Sequence, residues 1–236
     1  MRRSSGDSVG VPPIAAVFRA PAFLPVFLAS SLSTWGDYIA RITVAAVVFE
    51  RTGSAVATAA TFAVSLLPSV FGRMLLSPVA DRMPYKHVLI CSHLLRATLV
   101  AALLVAVLGG TPVGVLLVIL FVLELCGGPA VAASQILLTD LFPDRRLYAR
   151  AFGVVTLAEQ VNQAIGLAIG GLVVTATSAT QGLLFDLGTF LVAAAVLALV
   201  LWQRWSGDER IAIAVIPSPE SPDRTMAADY ANGAAG

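Results

Sequence analysis

The chain alternates long apolar runs with short clusters that hold most of its charged side chains. Each run has about 20 residues, which at 1.5 Å per residue crosses about 30 Å of hydrocarbon as a helix. Hydrophobic residues make up 58% of the chain and charged residues 12%, whereas a soluble domain carries about 25% charged residues. The chain is therefore expected to fold in lipid as an all-α membrane protein.

Six of the runs are predicted to be transmembrane helices. In chain order they cover Phe23–Val48, Ala55–Val79, Val88–Val107, Val113–Ala133, Ala151–Thr175 and Leu183–Trp202. Residues 1–20 are expected to form a cytoplasmic N-terminal segment and residues 21–204 the six-helix transmembrane domain. Residues 205–236 hold few large apolar side chains, so a disordered cytoplasmic tail is expected there.

Basic residues are concentrated on alternate connections between the predicted spans. Those connections carry Arg19, Arg82, Lys86, Arg145, Arg146, Arg150 and Arg204. The loops 109–112 and 178–181 between them hold no basic residue, and Arg51 is the exception on that side. Because cytoplasmic loops are enriched in Lys and Arg, both termini are predicted to lie in the cytoplasm. The expected location is the plasma (inner) membrane, crossed several times.

The connection between the second and third predicted spans reads SPVADRMPYK, residues 77–86. It resembles the loop between the second and third helices of major facilitator superfamily transporters, whose pattern is G-x-x-x-D-R-x-G-R-[KR]. Asp81, Arg82 and Lys86 match that pattern. Ser77 and Pro84 stand where the family prefers glycine, and Tyr85 where it prefers arginine.

Four further segments resemble the drug and macrolide efflux branch of that family: TWGDYIA (34–40), ERTGSA (50–55), HLLRA (93–97) and FDLGTFLVAA (185–194). The resemblance covers residues 18–204 and implies the N-terminal six-helix half of the fold, built as two inverted three-helix repeats. It also implies secondary active transport, with proton-coupled efflux of small molecules, hydrophobic ones among them. One half supplies one wall of a transport site. A second copy, a separately encoded second half or a missing C-terminal half is therefore expected as partner.

The resemblance gives the loop Asp81, Arg82 and Lys86 the role of a gate that holds two halves together on the cytoplasmic side, with Arg96 as a structural tie behind it. The alternative is that Arg82 and Lys86 only keep the loop in the cytoplasm. That alternative does not require Asp81 or Arg96.

Ionisable residues inside the predicted spans are costly and by default face a bundle interior or a water-filled cavity. Asp37 and Arg41 are four residues apart on one helix face and can neutralise each other, so the pair is either structural or, as assigned here, part of the proton or substrate pathway together with Glu124. Arg96 can reach the cytoplasmic surface or pair with Asp37 or Asp81. Glu124 has no basic residue within a turn and is expected to be unpaired, which suits a proton carrier or a neutral, hydrogen-bonded carboxyl.

The fifth predicted span carries the densest polar cluster, AEQVNQAIGLAIGG, residues 158–171. Helical spacing puts Glu159, Gln163, Gly166 and Gly170 on one stripe, with Asn162 beside it. The acid and amides are assigned to a proton or substrate pathway. Gly166, Gly170 and Gly171 are expected to allow close helix packing. Packing alone explains the glycines but not Glu159.

Other chemistry is not indicated by any motif. His87 and His93 are too far from a cysteine pair for a zinc site, and neither a P-loop nor a hydrolase motif occurs. No cofactor, metal, nucleic-acid partner or enzymatic activity is expected. The rival interpretations are an intramembrane enzyme, a non-transporting membrane scaffold, and an inactive remnant or truncated half of a permease.

Overall fold

The computed structural model describes residues 14–20 and 22–215, except for the side chains of 69–70, 73–82 and 203–215. That part of the chain contains helices and no strand: α1 Ile14–Phe18, α2 Phe23–Thr52, α3 Ala55–Arg82, α4 Tyr85–Leu108, α5 Val113–Leu125, α6 Gly127–Leu141, α7 Arg145–Ala176 and α8 Ala179–Val215. The chain divides into two compact units, residues 1–200 and 201–236. The packing described below belongs to the first unit.

Local sequence explains where the long helices end. Gly53 terminates α2 in the left-handed conformation, with φ 63°, and its N–H donates to the Phe49 carbonyl, a geometry that glycine adopts without steric cost. The Ser54 side chain then accepts from the Ala57 N–H and caps α3. Asp144 does the same for α7 by accepting from the N–H groups of Arg146 and Leu147. The turns between helices are therefore short.

The fourth predicted span is two helices, α5 and α6, that meet at Cys126. Pro129 has no N–H to donate to the Leu125 carbonyl four residues earlier, and glycines at 127 and 128 weaken the helix further. The freed carbonyl lies close to α3, because a Cβ added to Gly72 would be 2.6 Å from the Leu125 oxygen. A glycine on α3 thus lets α3 approach the break.

Within the described residues, four segments are long and apolar enough to cross a membrane: Tyr85–Leu108, Val113–Leu141, Arg145–Ala176 and Ala179–Trp202. Helix α2 is long enough, but the polar stretch 30–41 through its middle lowers its hydropathy. Helix α3 counts only as a shorter apolar helix, Ala55–Pro68. Apart from its turns, the described part of the chain is therefore helical with four candidate spans, and the six-span, two-repeat arrangement stays a prediction. The domain boundaries at residues 20 and 205 also stay predictions, and residues 216–236 of the predicted tail lie outside the described residues.

The helices run back and forth between two ends of the first unit. We call the end where α2, α4 and α7 begin the proximal end, and the end that carries the turns at 53–54, 109–112 and 177–178 the distal end. Helix α2 is central, because it packs against α3, α5 and α7 and touches α8 through Gly36 and Thr43. The distal half holds a dry core formed by Ala40, Val44, Val47, Val48, Ala97, Val100, Leu103, Ala106, Leu116, Leu120, Leu123, Leu183 and Phe190.

Candidate functional site

Two buried ion pairs cross the middle of the bundle at the boundary between its two halves. The first joins Arg41 of α2 to Glu124 of α5. The guanidinium binds both carboxylate oxygens, with Nε to Oε1 at 2.5 Å and Nη2 to Oε2 at 2.7 Å. The Arg41 guanidinium also lies over the Tyr38 ring, 4.8 Å from its centroid. This two-point geometry fixes both side chains, which strengthens the pair in a low-dielectric interior.

The second ion pair joins Arg96 of α4 to Asp37 of α2, with Nη2 2.7 Å from Oδ1. The Arg96 guanidinium lies over the Phe190 ring of α8, 4.5 Å from the ring centroid. On its other side is Gly127 of α6, where an added Cβ would be 3.8 Å from the guanidinium carbon. Arg96 therefore ties four helices together at one point.

These contacts correct two expectations from the sequence. Asp37 and Arg41 do not neutralise each other, because each binds a partner on another helix. Glu124 is not unpaired, since its partner Arg41 lies 83 positions away in the sequence. For Arg96 the structure shows one of the expected alternatives, the pair with Asp37, and its exposed fraction is 8%. Spacing along one helix cannot reveal a partner that the fold brings from another.

Asp186 is a further buried carboxyl, on α8, and has no measurable exposure. It lies near the start of the predicted span Leu183–Trp202, so the sequence does not single it out as lying inside the membrane. Helix α8 begins at Ala179, so Asp186 lies two turns inside the helix. It faces Gly36, where an added Cβ would collide with the Asp186 carboxylate and the Thr189 hydroxyl. The Gly-Asp pair in α2 and the Asp-x-x-Thr spacing in α8 are the signals that could have found it.

A cavity of about 410 Å³ occupies the proximal half, with the Asp37–Arg96 pair on its wall. Hydroxyl and amide side chains from α2, α6 and α7 line it together with aromatic rings: Ser30, Ser31, Ser33, Thr34, Ser134, Gln135, Thr156, Asn162, Phe23, Phe27 and Phe152. Three lining atoms, Ser33 Oγ, His93 Nδ1 and Arg96 Nε, are buried without a hydrogen-bond partner among the described residues. Such a surface can bind a small molecule with both apolar and polar parts.

The polar cluster of α7 divides into two parts. Asn162 accepts from Trp35 Nε1 at 3.0 Å and donates to Ser31 Oγ at 2.8 Å, so it fastens α7 to α2. Glu159 lines the cavity and is exposed, and it forms no ion pair with any described residue. Gln163 is half-buried. The cluster thus presents a carboxylate to the cavity and an amide to the helix interface.

The glycines of α7 continue that helix interface. A Cβ at Gly166 would be 2.9 Å from Tyr38 Cβ, and one at Gly170 would be 2.7 Å from Ile42 Cδ1. Both positions therefore allow the close approach of α7 to α2. Among the described residues, nothing lies within 4 Å of a Cβ added at Gly171, and the packing role expected for Gly171 stays a prediction.

The predicted gate loop is only partly described. The side chains of Asp81 and Arg82 lie outside the described residues. Lys86 is half-buried, and its amine lies 5.9 Å from the Tyr85 ring centroid. The Tyr85 hydroxyl is 2.6 Å from Asp140 Oδ2 at the end of α6. This hydrogen bond links the start of α4 to the end of α6 at the proximal end. Arg96 lies apart from this loop, in the cavity wall.

The long apolar helices and the buried charges between them have a counterpart among known families. The family model of the Major Facilitator Superfamily matches residues 26–221, which is most of the chain. The chain belongs to the Major Facilitator Superfamily. The match includes all four members of the two ion pairs, Asp186 and the cavity-lining residues from Val26 onward. Searches of the curated proteins and of the solved structures gave no match.

Membership in the Major Facilitator Superfamily makes this chain a membrane-embedded transporter. Members of that superfamily are transporters rather than enzymes, which agrees with the absence of a hydrolase or nucleotide-binding motif from the sequence. The efflux branch, the half-size organisation and the roles assigned to single residues are finer statements than the family match carries.

Proposed function

We propose that the chain is one half of a secondary active transporter that exports small amphipathic molecules in exchange for protons. The observation that carries the proposal is the cavity of about 410 Å³, which has a buried charge cluster at its wall. A passive scaffold gains nothing from ion pairs held in the membrane interior, where charged groups are costly. Transport folds keep such groups near the midplane, where substrate and coupling ions bind.

The cavity favours a substrate with an aromatic body and a positive charge. Phe23, Phe27 and Phe152 supply apolar and aromatic contacts at the wall. Glu159 adds a carboxylate that no described basic residue neutralises, whereas the guanidinium of Arg96 is already bound to Asp37. A cationic amphiphile would pair with Glu159 and rest on the rings.

We also propose that the proximal end faces the cytoplasm. The basic connections, which include Lys86 and Arg145, lie at that end, whereas Arg51 lies at the distal end. By the positive-inside rule, this orientation opens the cavity toward the interior of the cell. An exporter resting in this state would load its substrate from the cytoplasm.

The proposed transporter needs a second wall. Gln135 and Glu159 are exposed on α6 and α7, and lipid cannot satisfy their hydrogen bonds. A second copy of this chain, related by a two-fold axis, would cover that face and complete the cavity. It would also bring a second Asp81, Arg82 and Lys86 loop to the cytoplasmic side as a gate partner.

The experiment uses the full chain in liposomes, an imposed pH gradient and the aromatic cation ethidium as the fluorescent probe. Wild-type protein is expected to move ethidium against its gradient, and Glu159→Gln to lower the rate about tenfold, as expected for an ion pair worth about 1.4 kcal/mol. Glu50→Gln is the matched control, because Glu50 is an exposed carboxylate at the distal end. Equal loss in both variants would contradict a role for Glu159 in binding.

The alternatives give other outcomes in the same liposomes. Single-molecule photobleaching of labelled protein counts the copies in each liposome and is expected to give two for active particles. Active particles with one copy would contradict the second-copy proposal. Monomers without flux would favour an inactive remnant or truncated half, and dimers without flux a membrane scaffold.

A further inference from the structure

Asp186 stands out within the buried cluster because no arginine forms an ion pair with it among the described residues. Its Oδ1 atom is 3.5 Å from the Thr189 hydroxyl, and that hydroxyl donates a shorter bond, 2.7 Å, to the Asp186 carbonyl. Its Oδ2 atom is buried without any hydrogen-bond partner in the described part of the chain. An ionised carboxylate in that position would be very costly, whereas a protonated one carries no charge.

Charge counting over the cluster supports the same conclusion. Three carboxyls, on Asp37, Glu124 and Asp186, share the site with the guanidiniums of Arg41 and Arg96. The charged groups that face Asp186 come from α2, α4 and α5. Among the described residues, His93, Cys126 and Tyr38 are further titratable groups beside the two arginines, and the His93 ring lies 5.9 Å from that of Phe190. With a neutral imidazole, the two ion pairs cancel and one carboxyl is left over. A proton on Asp186 makes the whole cluster neutral.

Arg96 is placed to respond when that proton leaves. Its Nη2 binds Asp37, but its Nε is buried without an acceptor among the residues that the structure describes. Its guanidinium lies over Phe190, which is four residues after Asp186 and therefore on the same face of α8. An unused donor on Arg96 and an unused acceptor on Asp186 thus occur in one cluster, and each costs free energy while it is unpaired.

We propose that Asp186 carries the coupling proton and that Arg96 transfers from Asp37 to Asp186 when Asp186 is ionised. This inference rests on the proposed proton-coupled export and assigns the residue that performs the coupling. Transfer of Arg96 leaves the Asp37 carboxylate unpaired at the cavity wall, where a cationic substrate replaces the guanidinium. Protonation of Asp186 returns Arg96 to Asp37 and displaces that substrate, so charge is balanced in both states.

The direct test is infrared spectroscopy of the purified full chain in lipid, titrated with pH in the absence of substrate. Wild-type protein is expected to show the C=O stretching band of a protonated carboxylic acid, which disappears as pH rises. Asp186→Asn should remove that band, and the control Glu50→Gln should keep it. A band that persists unchanged in Asp186→Asn would overturn the inference.

A further measurement on wild-type protein keeps the test decisive if Asp186→Asn folds poorly. Carbon-13 labelling of aspartate should shift the band, and labelling of glutamate should not; the opposite result would overturn the inference. Where Asp186→Asn folds, its neutral side chain should keep Arg96 on Asp37 and abolish pH-driven ethidium transport in liposomes, and a normal response to pH would overturn the inference. Absence of ethidium flux in the wild type contradicts the proposed function, whereas the infrared band decides the role of Asp186 by itself.

Discussion

The distal and proximal halves of the bundle share helices but differ in packing, because the distal half forms a dry core and the proximal half encloses a cavity. In the distal half, α2, α4, α5 and α8 bring together side chains such as Val44, Leu103, Leu116 and Leu120, none of which has any measurable exposure. In the proximal half, the same α2 and α4 line a cavity of about 410 Å³. The ion pairs lie between the two halves. One end is therefore sealed by dispersion contacts and the other remains accessible.

The contrast between the dry distal core and the proximal cavity shows how a polar site is supported inside a membrane. Lipid chains are as apolar as a valine side chain, so helix association there depends on close packing and on interhelical hydrogen bonds. The distal core supplies the packing, and the Arg41–Glu124 pair is the first polar contact beyond it. A charged residue fixed by a rigid layer on one side can adjoin a cavity on its other side.

The largest effect is expected from breaking the Arg41–Glu124 ion pair, which lies between the distal and proximal halves of the bundle. Glu124→Gln leaves the Arg41 guanidinium buried without a counter-charge, and loss of one partner of a buried pair costs about 3 to 5 kcal/mol. Chemical unfolding of the protein in bicelles should detect this as a lower free energy of unfolding.

The double variant Arg41→Met with Glu124→Leu removes both charges and serves as the control. It should recover much of the stability lost in Glu124→Gln, because no charge then remains unpaired. Unchanged stability in the single variant would mean that the pair does not fasten α5 to α2.

The second-largest loss of stability is expected at the contact between α2 and α7, which runs along the cavity. Gly166→Ala would place a Cβ 2.9 Å from Tyr38 Cβ, and overpacking of this kind costs about 1 to 3 kcal/mol. Gly171→Ala is the matched control on the same helix, because nothing lies within 4 Å of its added Cβ. The same unfolding measurement should separate the two variants. Equal stabilities would place Gly166 away from a helix contact.

The smallest effect concerns the distal end. Arg51 donates to the carbonyls of Thr111 and Val107 at 2.7 and 2.8 Å, where α4 ends. These bonds are exposed, so Arg51→Gln is expected to cost about 0.3 to 1 kcal/mol, the range for a cation at a helix C-terminus. Hydrogen exchange of the amides at 109–111 should accelerate, while that of α7 should not. Faster exchange throughout the bundle would show that the distal seal depends on this residue rather than on its apolar core.

Much of the fold could be predicted from local pattern. The predicted starts at Phe23, Ala55 and Val113 coincide with helix starts, because Ser54 and Pro112 mark N-termini in the sequence itself. The helix break at Cys126 was not predicted, although Pro129 indicates one in the sequence. An apolar run of adequate length hides such a break, since hydropathy is insensitive to a single missing hydrogen bond.

The candidate site was predicted only as a set of residues. Asp37, Arg41, Arg96 and Glu124 were singled out because charged side chains are rare in apolar spans. The pair of Arg96 with Asp37 was one alternative from the sequence, whereas the pair of Arg41 with Glu124, 83 positions apart, was not predicted. The gate role of Asp81 and Arg82 stays a prediction.

The apolar runs of the sequence are enough to show that this protein folds in lipid, and the sequence also shows which charged side chains lie within those runs. Twenty apolar residues in a row require lipid, and backbone hydrogen bonds in lipid require helices, so neither conclusion depends on tertiary contacts. Only the tertiary structure decided which charges are neutralised. In the fold, Arg41 pairs with Glu124 and Arg96 pairs with Asp37, whereas Asp186 forms no ion pair among the described residues. The physical reason is that Coulomb attraction acts through space over a few ångströms, and only the packing of α2 against α4, α5 and α8 sets those distances.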